Sequence, residues 1–410
     1  MKQEKFEQTE IGMIPEDWEE ISFSEAVEVN PKRELRKGSI AKCVSMANIQ
    51  PLTKRIFNYT LREFKGGSKF RNGDTLFARI TPSLENGKTA FVDILSDDEI
   101  GFGSTEFIVL GPKEGKTNPH FVYYLSRSPE VRSIAIKSMT GTSGRQRVEN
   151  DVFDRIVTYL PPLKEQSAIV NILSNLDSKI TLNLQMNETL EEIGKAIFKY
   201  WFVDFEFPNK NGRAFKSSGG KMVYNEELGR EIPKEYRVGK LGDLVQITTG
   251  QGLRRDEFRE NGQYSILGAN GELGKTDKYL FDEKLILTGR VGTLGTVYLA
   301  NGKCWISDNV LISKPKKEEN YYYALFVLRK LNFQSLNRGS TQPLITQTDL
   351  KNQQVMLPNE ILSIFHKIIK NLFEKIELNE YEIKTLSLIR DSFLPKLMSS
   401  KIRVLVEARK

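Results

Sequence analysis

The chain has 410 residues, more than one compact core normally holds, so two or three domains are expected. Apolar residues at 39%, aromatic residues at 10% and charged residues at 28% exclude a disordered or collagen-like polymer. No apolar run approaches the roughly 18 residues of a spanning helix, and the charged start from Met1 to Glu10 lacks the apolar stretch of a secretion signal, so a cytoplasmic protein is expected.

Taken in chain order, the first landmark is Glu10-Ile11-Gly12, followed by Ile14-Pro15-Glu16-Asp17-Trp18. Strands are predicted at 75–78, 90–94 and 106–110, a small-residue turn at Gly101 to Thr105, and a helix over 119–125. Leu160-Pro161 then introduces a helical pattern over 163–203, closed by Pro208. Glu227-Leu228-Gly229, followed by Ile232-Pro233-Lys234-Glu235-Tyr236, repeats the opening landmark. Strands follow at 285–287, 296–299 and 310–312, with a helix over 321–328. Leu357-Pro358 introduces a second helical pattern over 360–400, closed near its end by Pro395.

This order is a tandem duplication. Ile180 matches Ile376, Leu190 matches Leu386 and Ile193 matches Ile389 at one constant offset of 196 residues. Both helical segments carry apolar residues at alternating three- and four-residue spacing, the seam of a coiled coil. The seam includes Leu176, Ile180 and Leu190 in the first and Leu372, Ile376 and Leu386 in the second. Asn183 and Asn379 hold equivalent seam positions and read as a register pair. Matching seams of matching length favour mutual antiparallel pairing over two separate amphipathic helices. About 40 helical residues span roughly 60 Å, more than one turn of B-DNA. The fold class expected is α+β: two mixed α/β blocks separated by a long antiparallel two-helix coiled coil, related by a pseudo-two-fold internal repeat.

The net charge is +7, and its distribution says more. Residues 1–30 hold 9 acids and 2 bases, whereas residues 31–160 hold 21 bases against 14 acids. Residues 218–358 hold 20 bases against 16 acids, so both blocks are locally basic and compatible with a polyanion. The candidate contacts lie on loops. In the first block these are Arg79, Thr81, Ser83, Asn86 and Lys88, then Thr142, Ser143, Arg145, Gln146 and Arg147. In the second they are Asn270, Arg290, Thr293, Arg338, Ser340, Thr341 and Gln342. Arginine and glutamine suit guanine edges, phosphates and adenine edges. Taken singly, each such loop is better read as an ordinary turn with a solvated arginine; their recurrence in both blocks favours DNA contact.

Catalytic patterns fail one by one. Gly271 to Thr276 resembles a phosphate loop, but Ala269 stands where the motif needs glycine, and Gly111 to Thr117 is one residue short. Both read as turns. Cys43 and Cys304 follow no metal spacing and read as small buried side chains, and His120 and His366 are far apart, with His366 structural in its helix. No metal cluster, GxSxG, acid/base pair or NPPY-like segment is found, so catalytic and metal residues are expected to be none.

Nearly the whole chain resembles the specificity (S) subunits of type I restriction–modification enzymes. The resemblance rests on Gly73-Asp74-Thr75-Leu76-Phe77-Ala78-Arg79-Ile80-Thr81-Pro82, on Leu160-Pro161-Pro162-Leu163 with Glu165-Gln166, and on Trp201-Phe202-Val203-Asp204-Phe205. Arg390-Asp391-Ser392 with Leu394-Pro395-Lys396-Leu397 completes it, while Asn359-Glu360-Ile361 departs from the first repeat. The family architecture implies target-recognition domains at 1–160 and 225–357, helical spacers at 161–207 and 358–410, and a linker at 208–224. It also implies a non-catalytic subunit with one recognition domain per half of a bipartite double-stranded DNA target. Two methyltransferase (M) subunits would dock on the spacers and restriction/translocase (R) subunits would join them. S-adenosylmethionine, ATP and Mg2+ would belong to those partners, with no cofactor in this chain. The alternatives are a stand-alone DNA methyltransferase or nuclease with duplicated binding domains, disfavoured by the missing motifs, and a coiled-coil scaffold without sequence preference.

Overall fold

The computed structural model describes residues 6–9, 12–142, 144–292, 294–339, 343–358 and 360–404. The chain forms two compact units, one from residues 1–185 with 379–410, the other from residues 186–378. Both divisions fall inside long helices. We number the five main helices α1 (Pro119–Arg127), α2 (Pro129–Lys137), α3 (Leu163–Phe202), α4 (Asn320–Lys330) and α5 (Ile361–Met398).

In the first unit an antiparallel sheet runs in the order Val27–Val29, Phe107–Pro112, Thr75–Ala78, Thr89–Phe91. Its two central strands alternate large apolar residues on both faces, as a sheet covered on both sides requires. Phe77, Ile108 and Leu110 pack with Phe121, Val122 and Tyr124 of α1. Leu76, Phe107 and Val109 face the opposite way, onto Val44, Ile49 and Phe70. A second sheet runs Thr60–Glu63, Ile40–Val44, Gly101–Gly103, Ser68–Phe70. Of the segment read as a turn, Gly101–Gly103 is instead a strand, parallel to Ile40–Val44, and the turn is confined to Thr105 and Glu106. Its small residues serve close packing: a Cβ on Gly101 would lie 2.4 Å from the Phe70 ring, and one on Gly103 2.5 Å from the Val44 carbonyl oxygen.

The second unit repeats both sheets. Val245–Thr249, Val310–Pro315, Leu285–Gly289 and Val297–Ala300 form one, and Gly271–Thr276, Tyr264–Gly268, Lys303–Ile306 and Phe281–Asp282 the other. Lys303–Ile306 again runs parallel to its neighbour Tyr264–Gly268. The phosphate-loop look-alike at Gly271–Thr276 is a strand, not a turn. Gly271, at φ +113°, closes the hairpin that leads into it. In each block a short antiparallel pair joins start to end, Glu19–Ser22 with Val157–Leu160 and Arg237–Lys240 with Gln354–Leu357. Each long helix leaves from that pair.

The long helices pair antiparallel within each unit. In the first, Ile169, Val170 and Leu173 near the start of α3 pack with Leu394, Leu397 and Met398 near the end of α5. In the second, Phe198 and Phe202 pack on Phe365, with ring centroids 6.2 and 4.9 Å away. Helix α3 ends at Phe202, six residues before Pro208. Pro395 does not close α5 but lies inside it, and the helix continues to Met398. The missing N–H costs one backbone bond, and burial of Leu394, Leu397 and Met398 holds the final turn in place. Of the seam residues, Ile180, Ile376, Asn183 and Asn379 are buried, whereas Leu176, Leu190, Leu372 and Leu386 are half-buried. Asn183 donates to the Glu382 carboxylate across the seam at 2.8 Å. Cys43 and Cys304 are buried thiols. Among the described residues no helix is long and apolar enough to cross a membrane.

Candidate nucleic-acid interface

Beyond Thr75–Ala78 the chain passes directly into Arg79 and the loop that follows. The Arg79 N–H donates to the Glu106 carbonyl at 3.0 Å, and the Val148 N–H donates to the Arg79 carbonyl at 2.9 Å. Thr81 and Gln146 are tied twice: the Thr81 N–H donates to the Gln146 carbonyl, and the Gln146 N–H to Thr81 Oγ1. Thr140 and Arg147 exchange backbone bonds at 2.8 and 3.0 Å. These bonds bring Arg79, Thr81, Gln146 and Arg147 together, although 65 residues separate Thr81 from Gln146. Leu84, fully buried, anchors the first loop, and Ser83 is half-buried while Asn86 is exposed.

The side chains divide into held and presented groups. Arg147 donates to both Glu106 carboxylate oxygens, with distances from 2.6 to 3.1 Å. That guanidinium holds the Glu106 carboxyl below its ordinary range, and Glu106 in turn raises the Arg147 pKa. Lys88 is spent on the Met46 carbonyl at 2.8 Å. Thr142 and Arg145 are exposed at the loop tip. Arg79 reaches Glu149 at 3.3 Å through Nη2, while its buried Nε finds no acceptor among the described residues. Arg79 also lines a groove of about 560 Å³ with Lys32, Arg33, Ser68, Lys69 and Thr105. Arg33 is committed to Asp74 at 2.9 Å, and burial pushes the Asp74 carboxyl above its ordinary value despite that bond. Lys32 and Lys69 were not singled out from the sequence, because nothing local marks a lysine as groove-lining.

The second unit rebuilds the same frame. The Arg290 N–H donates to the Asn309 carbonyl at 3.1 Å, and the Ile345 N–H donates to the Arg290 carbonyl at 3.0 Å. Val291 bridges Leu344 just as Ile80 bridges Arg147. Arg290 therefore occupies the place of Arg79, and its Nε is likewise buried without an acceptor among the described residues. The arginines of the flanking loops do not coincide: Leu344 stands where the first unit has Arg147, and Asn309 where it has Glu106. Arg338 is exposed, pairs with the Asp349 carboxylate, and its N–H donates to the Leu344 carbonyl. Asn270, exposed at the hairpin turn, accepts from Thr296 Oγ1 at 3.2 Å. Ser143, Thr293, Ser340, Thr341 and Gln342 lie outside the described residues.

Two copies of one loop frame, each on a basic block, match what a duplicated DNA-binding module needs. The family model for the type I restriction modification DNA specificity domain matches residues 15–192 and again residues 233–387. The chain belongs to this family. Each matched segment covers one repeat of this specificity subunit. The type I restriction enzyme MjaIX specificity subunit of Methanocaldococcus jannaschii is 27% identical, covering 98% of this chain and 97% of that protein. The HindI specificity subunit of Haemophilus influenzae is 24% identical, covering 94% and 100%. In fold, the chain is similar to the type I S subunit from M. genitalium, with a TM-score of 0.54 at 16% identity over 93% of this chain and 96% of that one. Among the described residues no group of three or more His, Cys, Asp and Glu is arranged to hold a metal ion.

Proposed function

We propose that this specificity subunit reads a bipartite double-stranded DNA target, one half-site through each recognition domain, and performs no chemistry itself. The observation that carries the reading is the equivalence of Arg79 and Arg290. The same backbone bonds fix both, and each half-buried arginine emerges from the central sheet at the loop frame. A guanidinium held this way is suited to phosphate or to a guanine edge. Lys32 and Lys69 beside Arg79 add the charge that attracts a phosphate backbone. The chain then works with two methyltransferase subunits and with restriction subunits, which supply S-adenosylmethionine, ATP and Mg2+ chemistry in the cytoplasm. Apolar side chains left exposed on the long helices support such docking: Ile172, Leu182, Tyr381 and Leu388 in one unit, Ile364, Ile368 and Leu378 in the other.

The test is selection from a randomised duplex library by the full chain with its methyltransferase partner. The expected product is two short motifs at fixed spacing. Arg79→Ala and Arg290→Ala should each weaken binding by about 1–3 kcal/mol, and each should relax a different motif. Relaxation of the same motif by both variants would defeat the reading, as would selection of no motif at all.

A further inference from the structure

The long helices are copies of one another, so their apolar spacing alone does not tell α3 whether to pair with α5 or with another α3. A buried charged layer in the first unit separates the two choices. In the first unit Arg390 Nη1 of α5 donates to Asp177 Oδ1 of α3 at 2.7 Å, and their side chains are only 1% and 5% exposed. The Tyr124 hydroxyl of α1 donates to the other Asp177 oxygen at 2.6 Å. Arg390 Nε also donates to Asp391 at 2.9 Å. At the 196-residue offset Asp177 corresponds to Phe373, and Arg390 to Gly194. In the second unit that layer is apolar: the Phe326 ring of α4 lies 6.3 Å from Phe373, and a Cβ on Gly194 would lie 3.0 Å from Phe326 Cζ.

Self-pairing in the same register would set Asp177 of α3 against Gly194 of a second α3, and Arg390 of α5 against Phe373 of a second α5. The first arrangement buries Asp177 without a counter-ion, and the second sets Arg390 on a ring with only the partly exposed Asp391 of its own helix as partner; stranding a buried charge costs far more than never having buried the pair. We propose that Asp177 and Arg390 are a sorting pair: they make the duplicated helices pair with each other and reject the like helix of a second copy of this chain. Polar residues inside a helical seam act elsewhere as such specificity devices at the expense of stability.

The test uses full chains carrying Asp177→Arg, Arg390→Asp, or both. Each single reversal sets like charges together and should lower Tm by about 10 °C or more, the scale expected for breaking a buried pair. The doubly reversed chain should recover about half of that loss. The two single variants complement each other. Across an exchanged pair of helices, the arginine introduced in one chain faces the aspartate introduced in the other, while the unaltered Asp177 and Arg390 meet from opposite chains. Refolded together they should form a dimer of twice the chain mass by native mass spectrometry, which neither forms alone. The proposal is overturned if the doubly reversed chain melts no higher than the weaker single variant or fails to fold. It is also overturned if the refolded mixture contains no more dimer than each variant alone.

Discussion

At the layer of Asp177 and Arg390 the first unit uses ions, and at the equivalent layer of Phe373 and Gly194 the second uses rings. Asp177 accepts from both Tyr124 and Arg390 in a buried polar layer, and Arg127 of α1 extends it to Asp391 at 3.5 Å. The second unit packs Phe373 against Tyr322 and Phe326, with ring centroids 5.0 and 6.3 Å apart, and Phe326 continues into a ring cluster through Phe198 at 5.3 Å. Strand order and the loop frame are the same in both. Duplication thus preserved the backbone while the chemistry of one layer diverged, and the two solutions do different work. Aromatic burial contributes stability with little selectivity, whereas a buried ion pair contributes selectivity and little stability.

The comparison can be broken at several points. The largest effect should come from Phe365→Ala, which removes a fully buried ring touching Phe198, Trp201, Phe202 and Phe326. Urea unfolding should show a loss of about 3–5 kcal/mol, and a loss below about 1 kcal/mol would mean the ring cluster does not hold its unit together. Gly194→Arg tests the difference from the other side by placing the first unit's arginine among the rings. A loss of about 3 kcal/mol is expected from an unpaired buried charge; adding Phe373→Asp should return part of it, and no return would deny that the layers are interchangeable.

A smaller effect concerns acid sensitivity, which His120 confers on the first unit. The imidazole lies 4.2 Å from the Phe91 ring, and burial, aided by Lys54, pushes its pKa down to about 4. The unfolded chain, with an ordinary value near 6.5, takes up the proton first. The contribution is therefore complete above pH 6.5 and is lost as pH falls from there through about 4. His120→Phe should flatten the dependence by about 1–2 kcal/mol between roughly pH 7 and pH 5, and an unchanged slope would remove His120 from the account. The smallest effect is Gly194→Ala. Its methyl meets Phe326 Cζ at 3.0 Å, but alanine favours the helix by about 1 kcal/mol. The net change should be a loss of about 1 kcal/mol or less, and a loss as large as that of Phe365→Ala would show the layer to be far more rigid.

Much of the architecture was legible because it is written in local periodicity. The 196-residue offset, the two helical seams and the central strands at 75–78, 285–287 and 310–312 all follow from neighbours a few residues apart. Gly101–Gly103 escaped because its partner Ile40–Val44 is some sixty residues away, and three small residues look like a turn until a facing strand is present. The candidate loops were legible as places, through their Gly, Ser, Thr, Arg and Gln content. The roles of their side chains were not: Arg147 and Arg145 are two residues apart in one loop, yet Glu106 holds the first and the second is exposed.

The sequence by itself determined that this chain is a duplicated recognition module with two long pairing helices, because duplication and heptad spacing need no three-dimensional partner to be seen. Only the tertiary structure decided that Arg79 and Arg290 are equivalent, that Arg147 and Leu344 hold matching positions, and that Asp177 meets Arg390 across 213 residues. Each of those facts depends on which distant residue supplies the counter-charge or the hydrogen bond. That choice is fixed by packing, not by spacing along the chain.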